Sequence, residues 1–225
     1  MLIYGKQPVY YAIERHRERI KVLYLAKEVD KKEYSALMKM GFEIKRIPEI
    51  AAQSMVKGGN HQGFIAEISQ VVPYASPFLK KCDFIVVLSS ITDMGNIGSL
   101  IRSAYALGVQ ALVISGIKEP NLEAMIRTSS GAALDMPLVI VHNIHDVLHE
   151  LKQSGFQVYG AVMDGVDVRE TTFTAKRVLV LGNEGEGLSG RVQKSLDVGV
   201  SIPMAHDFDS LNVGVAGAIL MERMR

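Results

Sequence analysis

Three stretches of this sequence place polar side chains and glycines where a strand would hand over to a helix. In Asp93-Met94-Gly95-Asn96-Ile97-Gly98-Ser99-Leu100-Ile101-Arg102, glycines permit a sharp turn and a close backbone approach to a ligand. Asn96 offers a donor and an acceptor near the helix start, and Arg102 lies farther along, within reach of the same mouth. A capped helix with a surface arginine is the plainer reading. In Leu181-Gly182-Asn183-Glu184-Gly185-Glu186-Gly187-Leu188 the glycine spacing is neither that of a dinucleotide fingerprint nor that of a P-loop. The loop carries Glu184 and Glu186 and no basic residue. Carboxylates repel phosphate and suit hydroxyls, amines or a cationic ligand such as a sulfonium. The third stretch is Ser201-Ile202-Pro203-Met204, followed by the polar loop 205–209 and Ser210-Leu211-Asn212-Val213-Gly214-Val215-Ala216. Here Ser210 is expected to cap the last helix, whose small first residues suit close packing. A weaker fourth signal, Asn60-His61-Gln62-Gly63-Phe64, reads as a polar hairpin leading into a strand.

These stretches need a scaffold. From residue 83 onward, apolar runs over 84–88, 109–114, 137–141, 156–162, 178–181 and 198–202 read as strands. They alternate with helical patterns over 97–107, 143–152 (capped by Asn143), 188–196 and 211–225. Such alternation implies an α/β fold with a mostly parallel sheet covered on both faces. Residues 1–72 read as a smaller α/β unit. Helices are expected there over 8–16, 31–40 and 48–56, and extended segments over 20–25, 42–47 and 63–69. Val71-Val72-Pro73-Tyr74-Ala75-Ser76-Pro77 breaks both periodicities. The expected organisation is therefore a first domain over 1–72, a linker over 73–81 and a second domain over 82–225.

With 225 residues, 48% hydrophobic and 22% charged, the chain has the composition of a globular protein. Its single cysteine, Cys82, leaves no internal disulfide and points to a cytoplasmic setting. No basic-then-apolar leader and no apolar run of about 20 residues is present, so no membrane association is expected. His142, His145 and His149 have no cysteine beside them and read as a solvated helix face, so no metal is expected. A net charge of +1 hides an asymmetry. Residues 1–80 hold 13 Lys/Arg against 8 Asp/Glu, and residues 81–225 hold 12 against 16. A basic front half suggests contact with a polyanion there, although solvated surface charge gives the same count.

Taken together, the motifs resemble those of the SpoU branch of the SPOUT methyltransferases, which includes the TrmH enzymes. Asn96-x-Gly98-x-x-x-Arg102 looks like the family's first motif, and Gly182-Asn183-Glu184-Gly185-Glu186-Gly187 like its second. Ile202-Pro203-Met204 with Ser210-Leu211-Asn212-Val213 looks like its third. The small-residue stretch Ser129-Ser130-Gly131-Ala132 fits between the first two. Gly5-Lys6-Gln7-Pro8-Val9 and His61-Gln62-Gly63 resemble the amino-terminal substrate-binding domain of the ribosomal members. Met94 departs from the usual proline, Ser89-Ser90 from a usual acidic residue and Gly214 from a common serine. The loop 205–209 is more acidic than the family's.

The resemblance implies a trefoil-knotted α/β domain that moves a methyl group from S-adenosylmethionine to a ribose 2′-hydroxyl. Ribosomal RNA is the implied substrate, a large-subunit guanosine the implied target, and a homodimer the implied assembly, with the RNA site completed near the subunit interface and the final helix contributing. Transfer RNA is the alternative substrate, and a non-catalytic RNA-binding protein with the same fold the alternative class. By carry-over, Leu181, Gly182, Ile202, Met204 and Leu211 would contact the cofactor. Arg102, Asn96, Glu184, Ser210 and Asn212 would form the catalytic group. Arg102 would either activate the hydroxyl or clamp a phosphate and stabilise the developing alkoxide, the latter suiting a guanidinium better. A dinucleotide-dependent oxidoreductase is disfavoured by the glycine spacing and by the late position of the loop.

Overall fold

A computed structural model describes residues 1–206 and 210–225. Asp207, Phe208 and Asp209 of the acidic loop noted above lie outside the described residues. The chain divides into two compact units. One is Met1–Val72 with Asn121–Leu134, the other Pro73–Pro120 with Asp135–Arg225.

The first unit runs β1 (Leu2–Tyr4), α1 (Lys6–Arg15), β2 (Ile20–Leu25), α2 (Lys31–Met38), β3 (Glu43–Arg46), α3 (Glu49–Met55) and β4 (Phe64–Ile68). Its sheet has the order β1-β4-β2-β3, with β2 and β3 parallel and β4 antiparallel to β1 and β2. Leu25 stands opposite both Arg46 and Phe64, so β2 and β3 finish where β4 begins. Ile3, Leu23 and Ile65 are fully buried beneath the helices, with Val9 and Ala52. Asp30 caps α2 by accepting the Lys32 N–H at 2.8 Å. The excursion Asn121–Leu134 carries α5 (Leu122–Thr128) onto this unit. There the Leu2 N–H donates to Glu123 Oε1 at 2.7 Å, and the Arg127 guanidinium lies 5.3 Å from the Tyr4 ring centre. A Cβ on Gly131 would fall 2.6 Å from Tyr11 Cβ. The small-residue stretch 129–132 is thus a contact surface. Neither β1 nor α5 is foreseen by periodicity. Three and seven residues are too few to show one.

The second unit runs β5 (Phe84–Ser89), α4 (Met94–Ala106), β6 (Ala111–Ser115), β7 (Leu138–Val141), α6 (Ile144–Gln153), β8 (Gln157–Asp167), β9 (Arg177–Leu181), α7 (Gly190–Gln193), β10 (Val198–Ser201) and α8 (Val213–Met224). All strand pairs are parallel, in the order β10-β8-β9-β5-β6-β7. This is the α/β class with a parallel sheet that the alternation implies. All six residues of β5 are buried, as a central strand covered on both faces requires. The segment expected as a linker contains the 3-10 helix Ser76–Lys81, and Leu79 from it enters the core.

In the second unit three helices depart from expectation at the site, each for a local reason. The helix α4 starts at Met94 because Asp93 Oδ1 takes the Asn96 N–H at 2.7 Å, which puts Asn96 inside the first turn. The helix expected over 188–196 shrinks to α7. Leu188 and Leu196 instead pack on Gly160, where a Cβ would meet Leu196 Cδ1 at 2.3 Å. Finally, Ser210 does not cap the last helix. Asn212 does, accepting the N–H groups of Gly214 at 2.9 Å and Val215 at 3.4 Å.

Candidate active site

β9 ends at Leu181, and the chain then doubles back on itself. Asn183 O accepts the Gly187 N–H at 3.0 Å, while Asn183 Oδ1 accepts those of Gly185 at 3.0 Å and Glu186 at 2.7 Å. This folds backbone onto backbone. A Cβ on Gly182 would lie 2.2 Å from the Gly187 carbonyl carbon, so the glycine is required by contact. The turn lifts Glu184 and Glu186 to the surface.

Asn212 stands opposite. Its Oδ1 is committed to capping α8, so the side-chain amide is left to donate. It gives hydrogens to Asn96 Oδ1 at 2.9 Å and to Glu184 Oε1 at 2.5 Å. The same carboxylate oxygen lies 3.4 Å from the Val213 N–H, at the positive end of α8. Three candidate residues, from α4, the loop after β9 and the start of α8, therefore meet at one amide. Small residues make the meeting possible. A Cβ on Gly217 would come within 2.4 Å of Leu100 Cδ2 and 2.9 Å of Leu181 Cδ1, which shows how closely α8 lies on α4 and β9.

Beside this cluster, at the carboxyl ends of β8, β9 and β10, opens a cleft of about 1050 Å³. All five residues expected to touch a cofactor line it: Leu181, Gly182, Ile202, Met204 and Leu211. Glu184 and Ser210 line it too. Among the described lining residues are the acids Asp164, Glu184, Glu186 and Asp197, with no lysine, arginine or histidine. Asp197 is engaged by Lys152 Nζ at 2.7 Å and by the Val158 N–H at 2.8 Å. The other three leave the cleft negative, which favours a cationic occupant.

One wall was not foreseen. Between Gly199 and Val200 the partner of β10 jumps from Gly160 to Val166, so residues 161–165 leave the ladder and 161–164 turn into the cleft. Gly165 permits this, since a Cβ there would sit 2.6 Å from the Val200 carbonyl carbon. The one trace in the sequence is that glycine, which with Asp164 interrupts an apolar run.

Arg102 stands apart from the cluster. It is exposed, six residues along α4 from Asn96, and makes no hydrogen bond or ion pair with a described residue. Neither Arg102, Asn96 nor Asn212 lines the cleft.

Comparison with known proteins follows these features closely. Residues 83–222 match the SpoU rRNA Methylase family, and residues 2–73 match the RNA 2′-O ribose methyltransferase substrate binding family. The chain is 30% identical over 237 residues to the 23S rRNA (guanosine-2′-O-)-methyltransferase RlmB of Yersinia pestis, covering 100% of this chain and 96% of that one. It resembles the crystal structure of the SpoU methyltransferase AviRb from Streptomyces viridochromogenes in complex with AdoMet. The TM-score is 0.82 at 26% identity, over 100% of this chain and 88% of that one. The TrmH/SpoU tRNA modifying enzyme of A. aeolicus matches with a TM-score of 0.57 at 27% identity, over 66% of this chain and 80% of that one.

Proposed function

Because the chain belongs to the SpoU rRNA methylase family, we propose that it transfers a methyl group from S-adenosylmethionine to the 2′-hydroxyl of a large-subunit ribosomal RNA guanosine. The observation that carries this reading is the cleft. It combines apolar walls, a glycine that brings backbone close, and the carboxylates Asp164, Glu184 and Glu186 with no cationic side chain among the described lining residues, which suits a positively charged sulfur. S-adenosylmethionine, when bound, supplies the activated methyl group. Leu181, Gly182, Ile202, Met204 and Leu211 hold it through apolar contact and close backbone. Asp164, Glu184 and Glu186 offset its charge.

The remaining candidates act on the nucleotide. Asn212 and Asn96 fix Glu184 at the cleft edge, and Ser210 offers a hydroxyl to the ribose from the lip. Arg102 is a solvent-facing fork of donors, a poor proton acceptor and a good phosphate clamp. We assign it to the phosphate beside the target ribose, where it also stabilises charge developing on the 2′-oxygen. Alignment of donor and acceptor supplies much of the acceleration.

Residues 1–72 act as the RNA substrate-binding domain, 73–81 as the connection and 82–225 as the methyltransferase domain. In this reading the segments after β9 and β10 form the family's trefoil knot. The protein works as a cytoplasmic homodimer. The final helix buries Met221 and Met224 within the protomer and offers its partner the exposed Val215 and Ile219. No helix among the described residues is long and apolar enough to cross a membrane.

Transfer RNA is the second reading, favoured by the likeness to the tRNA modifying enzyme. That likeness spans 66% of this chain, whereas the 23S rRNA methyltransferase aligns along all of it. The deciding experiment is transfer of labelled methyl from S-adenosylmethionine to 23S rRNA and to tRNA from a methylase-deficient strain, with nucleoside mapping. Label in 2′-O-methylguanosine of 23S rRNA is expected. Label in tRNA alone would replace the substrate assignment, and label in neither would remove the activity.

A further inference from the structure

The first unit has two ends that differ in how their charges are used. At one, β2 and β3 finish, β4 begins and α1, α2 and α3 all start. Exposed there are Lys6, Lys27, Lys31, Lys32 and Arg46, none of which forms an ion pair with a described residue. The acids beside them are mostly engaged. Asp30 caps α2, Glu33 accepts the Tyr10 hydroxyl, and Glu49 Oε1 lies 3.2 Å from the buried His61 Nε2, outside hydrogen-bond alignment. Glu28 is the exposed exception.

Aromatic rings rather than carboxylates support two of these cations. The Arg46 guanidinium lies 4.8 Å from the Tyr34 ring centre and Lys6 Nζ 5.6 Å from that of Tyr10. The turn between them is built tightly. Gln62 takes the left-handed conformation at φ 53° and its Oε1 accepts the Lys6 N–H at 2.9 Å, while His61 Nδ1 accepts the Gly63 N–H at 3.0 Å. The start of α1, which has no acid in its first turn, adds positive partial charge to the same end.

The opposite end carries the basic segment 15–21, where α1 finishes and β2 begins. Cations there are partly neutralised. Lys21 Nζ lies 3.9 Å from Glu67, and the exposed Glu14 precedes Arg15 while the exposed Glu18 lies between Arg17 and Arg19.

Resting on the reading of this unit as a substrate-binding domain, we infer that the end bearing Lys6, Lys27, Lys31, Lys32 and Arg46 receives the RNA phosphates, and that the 15–21 segment does not. Phosphates displace counterions most readily where cations stand clear of free acids, and at the 15–21 end Glu14, Glu18 and Glu67 stand exposed or half-exposed among the cations even where no ion pair forms.

The test uses the full chain with protein-free 23S rRNA, measuring affinity across a salt series. The quadruple variant K27E/K31E/K32E/R46E is compared with R17E/R19E, and circular dichroism with thermal unfolding reports that each is folded. The quadruple variant is expected to lose at least about 30-fold in RNA affinity and to flatten the salt slope, with R17E/R19E within about threefold of wild type. Should the quadruple variant fail to fold, K27Q/K32Q/R46Q decides, with a loss of about tenfold or more expected. The inference is overturned by an equal loss in R17E/R19E, by an unchanged charge variant of the first end, or by a wild type that binds no rRNA. A wild type that binds rRNA with this pattern but transfers no methyl supports the surface and defeats the proposed activity.

Discussion

Asn212 and Glu184, 28 residues apart in the chain, are joined by an amide-to-carboxylate hydrogen bond of 2.5 Å at the first turn of α8. The residue that starts the last helix is thus also the one that fixes an acid at the cleft edge. In the proposed reaction stability and activity would therefore meet at one side chain, and substitution can separate them.

Asn212→Ala removes both the cap and the bond to Glu184. It should cost about 1–2 kcal/mol in thermal or denaturant unfolding, the usual loss for an asparagine cap. Methyl transfer should fall by at least about a hundredfold. Asn212→Asp keeps the capping oxygen but sets a second carboxylate against Glu184. It should retain most of the stability and still lose transfer. Equal activity in the Asp variant and wild type would show that the amide donor has no part in the reaction.

Arg102 has no described partner to lose. Arg102→Ala should leave stability within about 0.5 kcal/mol and S-adenosylmethionine affinity within a few-fold. Turnover should nearly vanish, and Arg102→Lys should recover only part of it because a point charge cannot replace the planar fork. A fully active alanine variant would take Arg102 out of the mechanism.

At Gly182 the tolerance is set by backbone contact 2.2 Å from the position a Cβ would take. Gly182→Ala must push the loop open, so S-adenosylmethionine affinity measured by calorimetry should fall by at least about tenfold. Gly185→Ala is the control, since a Cβ there meets only Asn183 Oδ1 at 3.8 Å. Equal affinities for the two variants would mean that the fold-back does not shape the cleft.

Cys82 is 3% exposed. Burial, with the neighbouring Asp83 charge, pushes its thiol above the usual cysteine range. The reactive thiolate is therefore scarcer than in a free cysteine at any pH below that raised value, and grows only as pH rises through it. Alkylation of the native chain near pH 8 should be slow and should become fast on unfolding. Rapid labelling of the folded protein would contradict the packing around the 3-10 helix Ser76–Lys81.

Much of the site could be read from the sequence because its residues sit at strand ends, where glycines and polar groups interrupt apolar runs. Asn96, Glu184 and Asn212 are visible that way, as are the cleft residues Leu181, Gly182, Ile202, Met204 and Leu211. Their joining through one amide is not, because it depends on which cap residue reaches α8. Ser210 and Asn212 are both good caps on chemistry alone. The wall at 161–164 is hidden for a different reason. It arises from a jump in strand pairing, and pairing partners leave no local periodicity. The role of 121–134 is hidden too, since a seven-residue helix gives no hint of which unit it covers. Removal of residues 1–72 would strip that helix of its support, so surface substitutions are the cleaner probe of the first unit.

The placement of β9 has a kinetic side. It is the one strand that joins β5, β6 and β7 to β8 and β10, and four of its five residues are buried. Until Arg177–Leu181 is in place, the apolar flanks of β5 and β8 have no neighbour, and a chain still emerging from the ribosome must carry that open seam. Such pairing between distant segments makes folding slow and the waiting edges adhesive. The sheet closes from its middle, late, so fragments ending before residue 177 should be the ones that aggregate or recruit chaperones.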